Sequence, residues 1–224
     1  MLISLRATQS AVKRQYDRPT CVAFAVTALH EHAYDVLKCS SKTAEIDLSE
    51  EFLHYHCKKC DRLGPTSNGT TVAAASTSLA LHGQSLECYC PYQLNLSEPS
   101  ISAPTADAYA DGKTRLLPGL RRFDQSLASI RDSLNLGRPL VAVLDWYSNA
   151  YVTVSGRIQM PGPKDRFLGR HAVLIVELEE KEQVDPCVIT FKNSWGPKWG
   201  NYGFGYFGLD YFGAYGRELW GITS

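Results

Sequence analysis

Cys21 is the residue of this sequence whose type and position best suit nucleophilic chemistry. It begins a segment, from Cys21 to about Lys38, in which apolar residues recur at spacings of three and four, as in an amphipathic helix. Pro19 and Thr20 just before it are a helix start signal, with Thr20 as the candidate cap. The N–H groups and partial positive charge at a helix N-terminus favour the thiolate, which is the reactive form of cysteine. An isolated cysteine is more often a small buried core residue, so the functional interpretation depends on the rest of the chain.

Three polar residues elsewhere in the chain have the chemistry that such a thiol needs. Gln15 precedes Cys21 by six residues. His171 begins an apolar strand-like run 150 residues after Cys21, and Asn193 follows the next such run. A histidine beside a cysteine lowers the thiol pKa and carries protons, whereas an amide can orient the imidazole or donate to an oxyanion.

These residues lie in motifs that resemble those of the papain family of cysteine peptidases. The motifs occur in the family's chain order, from about residue 15 to residue 207, and the block around Asn193 is the most specific of them. They are Gln15…Cys21-Val22-Ala23-Phe24, Leu48-Ser49-Glu50-Glu51, Pro91-Tyr92, His171-Ala172-Val173, and Lys192-Asn193-Ser194-Trp195-Gly196 with Trp199-Gly200.

The resemblance implies an α+β protein with a two-lobed papain-like fold. The helical lobe is expected at about residues 15–105 and an antiparallel β-barrel-like lobe at about residues 106–224, with the active site in the cleft between them. It further implies a cysteine peptidase that acts on protein or peptide substrates and requires no cofactor for catalysis.

The resemblance also implies a role for each matching residue. Cys21 would attack the scissile carbonyl as a thiolate, and His171 would hold the ion pair and then protonate the leaving amine. Asn193 would accept a hydrogen bond from the imidazole and fix its orientation, and Gln15 would donate to the oxyanion. Trp195 would shield the hydrogen bond between His171 and Asn193 from water and is assigned to the substrate-binding surface.

The sequence departs from the family pattern around the nucleophile. Pro19-Thr20 stands where the family usually has Gly-Ser or Gly-His, and Val22 stands where it has tryptophan. Proline lacks a backbone donor and fixes φ, so we expect the wall of the site before the nucleophile to differ. The family's Gly-Gly strip, which pairs with an extended substrate backbone, is represented by Asn68-Gly69-Thr70, and Gly69 is its predicted substrate-binding residue.

The seven cysteines are an odd number, so at least one is unpaired, a metal ligand or a reactive thiol. Four of them form two close pairs, which the resemblance would bring together: Cys57, Cys60, Cys88 and Cys90. Buried thiols, disulfides and a structural tetrahedral zinc are three alternatives for this group, with His54 and His56 as further candidate ligands. Zinc is not favoured, because the second pair has the spacing Cys-x-Cys rather than Cys-x-x-Cys. Cys39 and Cys187 are expected to be core or surface thiols.

Helices are predicted mainly in the first half of the chain and strands in the second. The predicted helices are residues 21–38, 48–53, 72–82 and 123–134, with Ser49 capping the second and Gly83 ending the third. The predicted strands are residues 140–144, 151–154, 171–177 and 188–192. Residues 1–20 are expected to be irregular, and the aromatic, glycine-rich tail 199–212 is expected to form short strands and turns.

The 224 residues carry 23 basic and 23 acidic side chains, and this zero net charge gives no support for binding nucleic acid or an anionic membrane. No apolar stretch is long enough for a membrane span or a secretory signal, which predicts a cytoplasmic protein or one exported without a cleaved signal peptide. Met1 lies only 14 residues before Gln15, so a family-type inhibitory pro-segment is not expected, and a regulatory or inhibitory partner protein is one expected means of control.

Two alternatives to a peptidase stay open at the level of sequence. The same catalytic residues can transfer the acyl group to another acceptor or deamidate a substrate. From a different class, a papain-like fold can be a non-catalytic protein-binding or regulatory module, although the intact Gln15, Cys21, His171 and Asn193 argue against it.

Overall fold

The computed structural model describes residues 1–37, 46–64, 66–94, 101–153, 155–181 and 187–222. The chain divides into two compact units. We call Gln15–Leu120 with Ile222–Ser224 the helical unit, and Met1–Arg14 with Arg121–Gly221 the sheet unit. Within the described ranges, no helix has the length and apolar character needed to cross a membrane.

The helical unit contains four α-helices, within the residues described, and a 3₁₀ turn at Lys113–Arg115. The helices are α1 (Cys21–Leu37), α2 (Glu50–Cys60), α3 (Val72–His82) and α4 (Ala106–Gly112). Hydroxyl groups cap three of them at their N-termini, where backbone N–H groups have no partner within the helix. The capping side chains are Ser49 for α2, Thr71 for α3 and Thr105 for α4.

The predicted first and third helices are confirmed, as are the Ser49 cap and the end of α3 at Gly83. Helix α2 is longer than the predicted 48–53, because its second half buries polar side chains that do not show apolar periodicity. His54, His56 and Lys58 are each at most 5% exposed. Helix α4 was not predicted.

The sheet unit is built on an antiparallel sheet that contains seven strands among the described residues. The strands are β1 (Leu2–Ser4), β2 (Arg121–Phe123), β3 (Leu140–Tyr147), β4 (Phe167–Glu180), β5 (Cys187–Lys192), β6 (Phe204–Gly208) and β7 (Gly216–Gly221). Their order is β2-β7-β3-β4-β5-β6, and β1 pairs with β4 outside this path. Two helices, α5 (Leu127–Asn135) and α6 (Leu209–Tyr215), complete the unit.

The core of the sheet unit lies on one face of the central strands, as the two-residue period of a strand requires. Alternate residues of β3 enter it, from Leu140 to Trp146, together with Val173 and Ile175 of β4. His171 of β4 is paired with Leu144 of β3, so the candidate histidine lies on a strand that is paired on both sides.

Several sequence predictions for the sheet unit are wrong. The predicted strand at residues 151–154 is wrong over its described part, because Ser148–Val152 form a 3₁₀ helix; Val154 lies outside the described residues. The helix predicted from residue 123 begins only after Ser126, whose hydroxyl accepts a hydrogen bond from the Ser129 N–H. Leu2–Ser4, expected to be irregular, pair with Glu177–Glu179 of β4, a partner remote in sequence. The tail contains helix α6 as well as the expected short strand.

Candidate active site

The candidate nucleophile, Cys21, is the first residue of α1 and is partly exposed. The first bond of the helix runs from the Phe24 N–H to the Thr20 carbonyl, at 3.1 Å. Cys21 therefore lies in the first turn, where the helix dipole and the N-terminal N–H groups favour a thiolate.

The segment before the nucleophile is anchored by Tyr92. The Tyr92 hydroxyl donates to the Gln15 carbonyl at 2.8 Å and lies 2.8 Å from the Thr20 hydroxyl. The buried Gln15 side chain folds back, and its Nε2 donates to the Arg18 carbonyl at 2.7 Å. These bonds fix the backbone from Gln15 to Thr20 and, with it, the position of the Gln15 side-chain amide.

A buried ion pair holds the same segment to α2. Two nitrogens of the Arg18 guanidinium lie 2.5 and 3.1 Å from the two carboxylate oxygens of Glu51. The backbone of Gln93 bonds to both members of the pair: its carbonyl accepts from Arg18 at 2.9 Å, and its N–H donates to Glu51 at 3.1 Å. The guanidinium also lies over the Tyr92 ring, 4.8 Å from its centroid.

Gly69, the predicted substrate-binding residue, lies against the same segment. Its φ of +74° is a left-handed conformation that favours glycine, and an added Cβ would lie 3.1 Å from the Pro19 carbonyl oxygen. The backbone of Gly69 thus closely approaches the chain two residues before the nucleophile.

The candidate acid–base group, His171, is buried in the sheet unit and bonded to Asn193. His171 Nε2 lies 2.8 Å from Asn193 Oδ1, and the Ser194 N–H also donates to Oδ1 at 2.8 Å. Because two donors converge on this atom, it must be the amide oxygen, and Nε2 of the imidazole must carry a hydrogen. This tautomer leaves Nδ1 as the nitrogen that can take up a proton.

Strand register brings Asn193 to His171. Lys192, the last residue of β5, is paired with Leu174 of β4, so the antiparallel chain continues from there toward His171. The Asn193 N–H donates to the Gly203 carbonyl at 3.0 Å, and Lys192 Nζ donates to the carbonyl and hydroxyl of Ser10 at 2.8 and 2.9 Å. The amide is therefore fixed by the sheet on one side and a turn on the other.

Aromatic rings surround the imidazole. The ring centroids of Trp195 and Trp146 lie 5.2 and 4.8 Å from that of His171. Burial among these groups lowers the pKa of His171 from 6.5 to about 4, against the opposing effect of the hydrogen bond to Asn193. Sequence analysis identified Trp195 but missed Trp146 and the exposed Tyr151, which stacks on Trp195 at 4.7 Å. The signal for Trp146 was its position two residues after Leu144, the last residue of the predicted strand, because residues two apart in a strand share a face.

The four cysteines of the two close sequence pairs are thiols, with no disulfide among Cys57, Cys60, Cys88 and Cys90. Burial raises the pKa of the Cys57 thiol to about 12 and that of Cys90 to about 11. No group of three or more His, Cys, Asp or Glu side chains in the described parts of the chain is arranged to hold a metal ion. Cys39 lies outside the described residues.

The six predicted site residues fall into two groups. Gln15, Cys21 and Gly69 belong to the helical unit, and His171, Asn193 and Trp195 belong to the sheet unit. Within the first group, Gly69 and the Gln15–Cys21 segment meet at Pro19. Within the second, Asn193 and Trp195 both contact His171.

Comparison of the sequence with protein families gives a match to papain family cysteine protease over residues 4–215. Peptidase 1 of Euroglyphus maynei is 28% identical over 212 residues, which are 92% of this chain and 59% of that protein. An uncharacterized peptidase C1-like protein of Acanthamoeba polyphaga mimivirus is 33% identical over 92 residues, 40% of this chain and 28% of that protein. The chain thus spans less than two thirds of the length of either relative.

Solved structures share the fold. Xylellain, a cysteine protease from Xylella fastidiosa, has a TM-score of 0.86 and 21% identity, covering 100% of this chain and 85% of that one. Digestive procathepsin L 3 of the Tenebrio molitor larval midgut has a TM-score of 0.75 and 18% identity, covering 99% and 69%. The predicted α+β papain-like fold is confirmed by this likeness.

Proposed function

Because the chain belongs to the papain family of cysteine proteases, we propose that it hydrolyses peptide or isopeptide bonds through a thioester on Cys21. The observation that carries the proposal is the 2.8 Å hydrogen bond from His171 Nε2 to Asn193 Oδ1. It leaves Nδ1 of a buried imidazole as the proton acceptor, which is what a thiol nucleophile requires of its partner. We assign to it, as the nucleophile, the thiol of Cys21, the first residue of α1.

The reaction begins with transfer of the thiol proton to His171. The N-terminal turn of α1 stabilises the thiolate, and the hydrogen bond to Asn193 stabilises the imidazolium. Burial lowers the pKa of His171 to about 4 even against the hydrogen bond to Asn193, so the proton stays on the ring only when a thiolate compensates its charge. The proposal therefore requires Cys21 and His171 to act as one ion pair whose two protons titrate together.

The thiolate then attacks the carbonyl carbon of the scissile bond. The carbonyl π electrons move to oxygen, and the resulting oxyanion takes hydrogen bonds from the Gln15 amide and from the Cys21 backbone N–H. Gln15 Nε2 carries two hydrogens, of which one is donated to the Arg18 carbonyl at 2.7 Å, and we assign the other to the oxyanion. The first bond fixes the direction of the second.

Collapse of the oxyanion breaks the C–N bond, and the imidazolium of His171 protonates the leaving amine. The acyl group remains on Cys21 as a thioester. Neutral His171 then removes a proton from water, whose oxygen attacks the thioester, and the carboxylic acid product leaves as the thiol is restored. Trp195 and Trp146 keep other water away from the hydrogen bond between His171 and Asn193.

Replacement of the nucleophile tests the proposal. A Cys21→Ala variant should lose peptide hydrolysis by about 10⁴-fold or more, because no other group supplies the covalent intermediate. Hydrolysis is measured on a peptide library with cleavage sites read by mass spectrometry, and circular dichroism checks that the variant is folded. Cys88→Ala, which removes an exposed thiol elsewhere, is the matched control and should retain activity.

Modification by a thiolate-directed epoxide is a second test of the same proposal. We expect stoichiometric modification of Cys21, detected on its tryptic peptide, with a pH dependence that reflects the ion pair. Wild-type turnover by Cys21→Ala, or an epoxide that leaves Cys21 unmodified in the folded protein, would overturn the assignment.

A further inference from the structure

A lysine is fully buried beneath the loop that carries Gly69. Lys58, in the last turn of α2, is 1% exposed. Its Nζ donates to the carbonyls of Ser67 and Gly69, the latter at 3.3 Å, and lies 3.4 Å from the Ser67 hydroxyl. The amine therefore bonds to the backbone on both sides of Asn68.

Asp61, at the end of the same helix, holds the two ends of this loop. One carboxylate oxygen accepts from the Leu63 N–H at 3.0 Å, and the other accepts from the Thr71 N–H at 2.7 Å. Thr71 in turn caps α3. We call Lys58 and Asp61 the α2 clamp, since together they bind the loop at its start, middle and end.

Burial of Lys58 has a free-energy cost that an apolar side chain would not have in full. Burying an ammonium group and immobilising a lysine side chain both oppose folding, and an apolar side chain of similar length would avoid the first of these costs. What the lysine adds is directional bonding to two carbonyl groups, which sets the orientation of the Asn68–Thr70 peptides. Gly69 is also fixed by its left-handed φ and its contact with Pro19.

We propose that the α2 clamp positions the Asn68–Thr70 backbone for pairing with an extended peptide substrate. Lys58 and Asp61 touch neither the substrate nor Cys21, and they act through the loop as positioning residues for substrate binding. The inference rests on the proposed function, because it names how that same site selects peptides over smaller acyl compounds. A substrate without an extended backbone gains nothing from the clamp.

Two probes of Cys21 separate positioning from a general structural role. Iodoacetamide needs only the thiolate, whereas a peptidyl epoxide must also pair with the loop. In Lys58→Met, we expect the peptidyl epoxide to modify Cys21 about tenfold more slowly. This factor corresponds to the loss of one or two hydrogen bonds between the loop backbone and the peptidyl group. The iodoacetamide rate at the Cys21 peptide should match that of Lys59→Met, the exposed neighbour used as control. Peptide hydrolysis should show a raised KM with kcat retained.

Equal slowing of both probes in Lys58→Met would overturn the inference, and so would no slowing of either. If Lys58→Met does not fold, Asp61→Asn is the second variant, and it should slow the peptidyl epoxide selectively through loss of a carboxylate acceptor. Absence of that selectivity also overturns the inference. The proposed function fails by a different result, namely a wild-type Cys21 that the peptidyl epoxide does not modify.

Discussion

Removing the charge of Glu51 is expected to destabilise the protein strongly. Glu51 and Arg18 are 1% and 4% exposed and are joined by two hydrogen bonds of 2.5 and 3.1 Å. Glu51→Gln preserves the shape of the side chain and an acceptor for the Gln93 N–H, but it removes the negative charge that the guanidinium faces. Breaking a buried pair by neutralising one partner costs about 3–5 kcal/mol, because the other charge stays buried.

This free energy is large enough to measure by thermal unfolding. For a chain of this size, each kcal/mol shifts the midpoint by about 2–4 °C, so Glu51→Gln should unfold roughly 10 °C lower. Arg18→Met should cost a similar amount, since it leaves the carboxylate buried. The double variant, Arg18→Met with Glu51→Gln, should be no less stable than either single variant, because neither charge then remains buried without its partner.

A more exposed ion pair supplies the control. Glu180 pairs with Arg131, and their side chains are 23% and 35% exposed, so solvent screens the pair and Glu180→Gln should cost much less than Glu51→Gln. The four proteins of the Arg18 and Glu51 cycle are compared by urea unfolding followed with tryptophan fluorescence. Strictly additive losses in the double variant, or a Glu51→Gln cost no larger than that of Glu180→Gln, would refute the reasoning.

Two further predictions concern acid and steric perturbations. Burial lowers the pKa of His30 from 6.5 to about 4, against a hydrogen bond to Gln84 that raises it, so the unfolded chain takes up this proton before the folded one. Up to about 3 kcal/mol of stability is therefore lost as the pH falls from about 6.5 to about 4. His30→Asn should make the urea midpoint less dependent on pH over this range. A pH dependence equal to that of the wild type would contradict the prediction. At Gly203, φ is +87° and an added Cβ would meet the methyl groups of Val12, so Gly203→Ala should cost about 2–4 kcal/mol. A double variant with Val12→Ala should recover part of this loss in the same unfolding assay, and a further loss would show that steric crowding is not the cause.

Local features of this protein could be predicted from its sequence because they depend on neighbours in the chain. The apolar spacing after Cys21 defines α1, and the Ser49 hydroxyl caps α2 through an N–H three residues away. The apolar run Leu140–Leu144 predicts the first part of β3, which continues to Tyr147. The order and spacing of Gln15, Cys21, His171 and Asn193 identified the family, and the structure confirms the hydrogen bond expected between the last two.

The same local patterns failed where a distant partner decides the conformation. Leu2–Ser4 form a strand because Glu177–Glu179 lie beside them, and no local signal marks that pairing. Tyr151 and Val152 were expected to begin a strand, because their residue types favour strands, but they belong to the 3₁₀ helix Ser148–Val152.

The family, the fold class and the residue types available for catalysis therefore follow from the amino-acid sequence alone, since motif order and short-range periodicity carry this information. Only the tertiary structure showed what holds those residues. Three charged side chains, which their residue types would place at the surface, are buried instead: Arg18, Glu51 and Lys58. Their hydrogen bonds hold the segment from Gln15 to Cys21 and the loop that carries Gly69. The physical reason is that a buried charge is tolerated only where its partners converge on it, and those partners come from separate parts of the chain that meet only on folding.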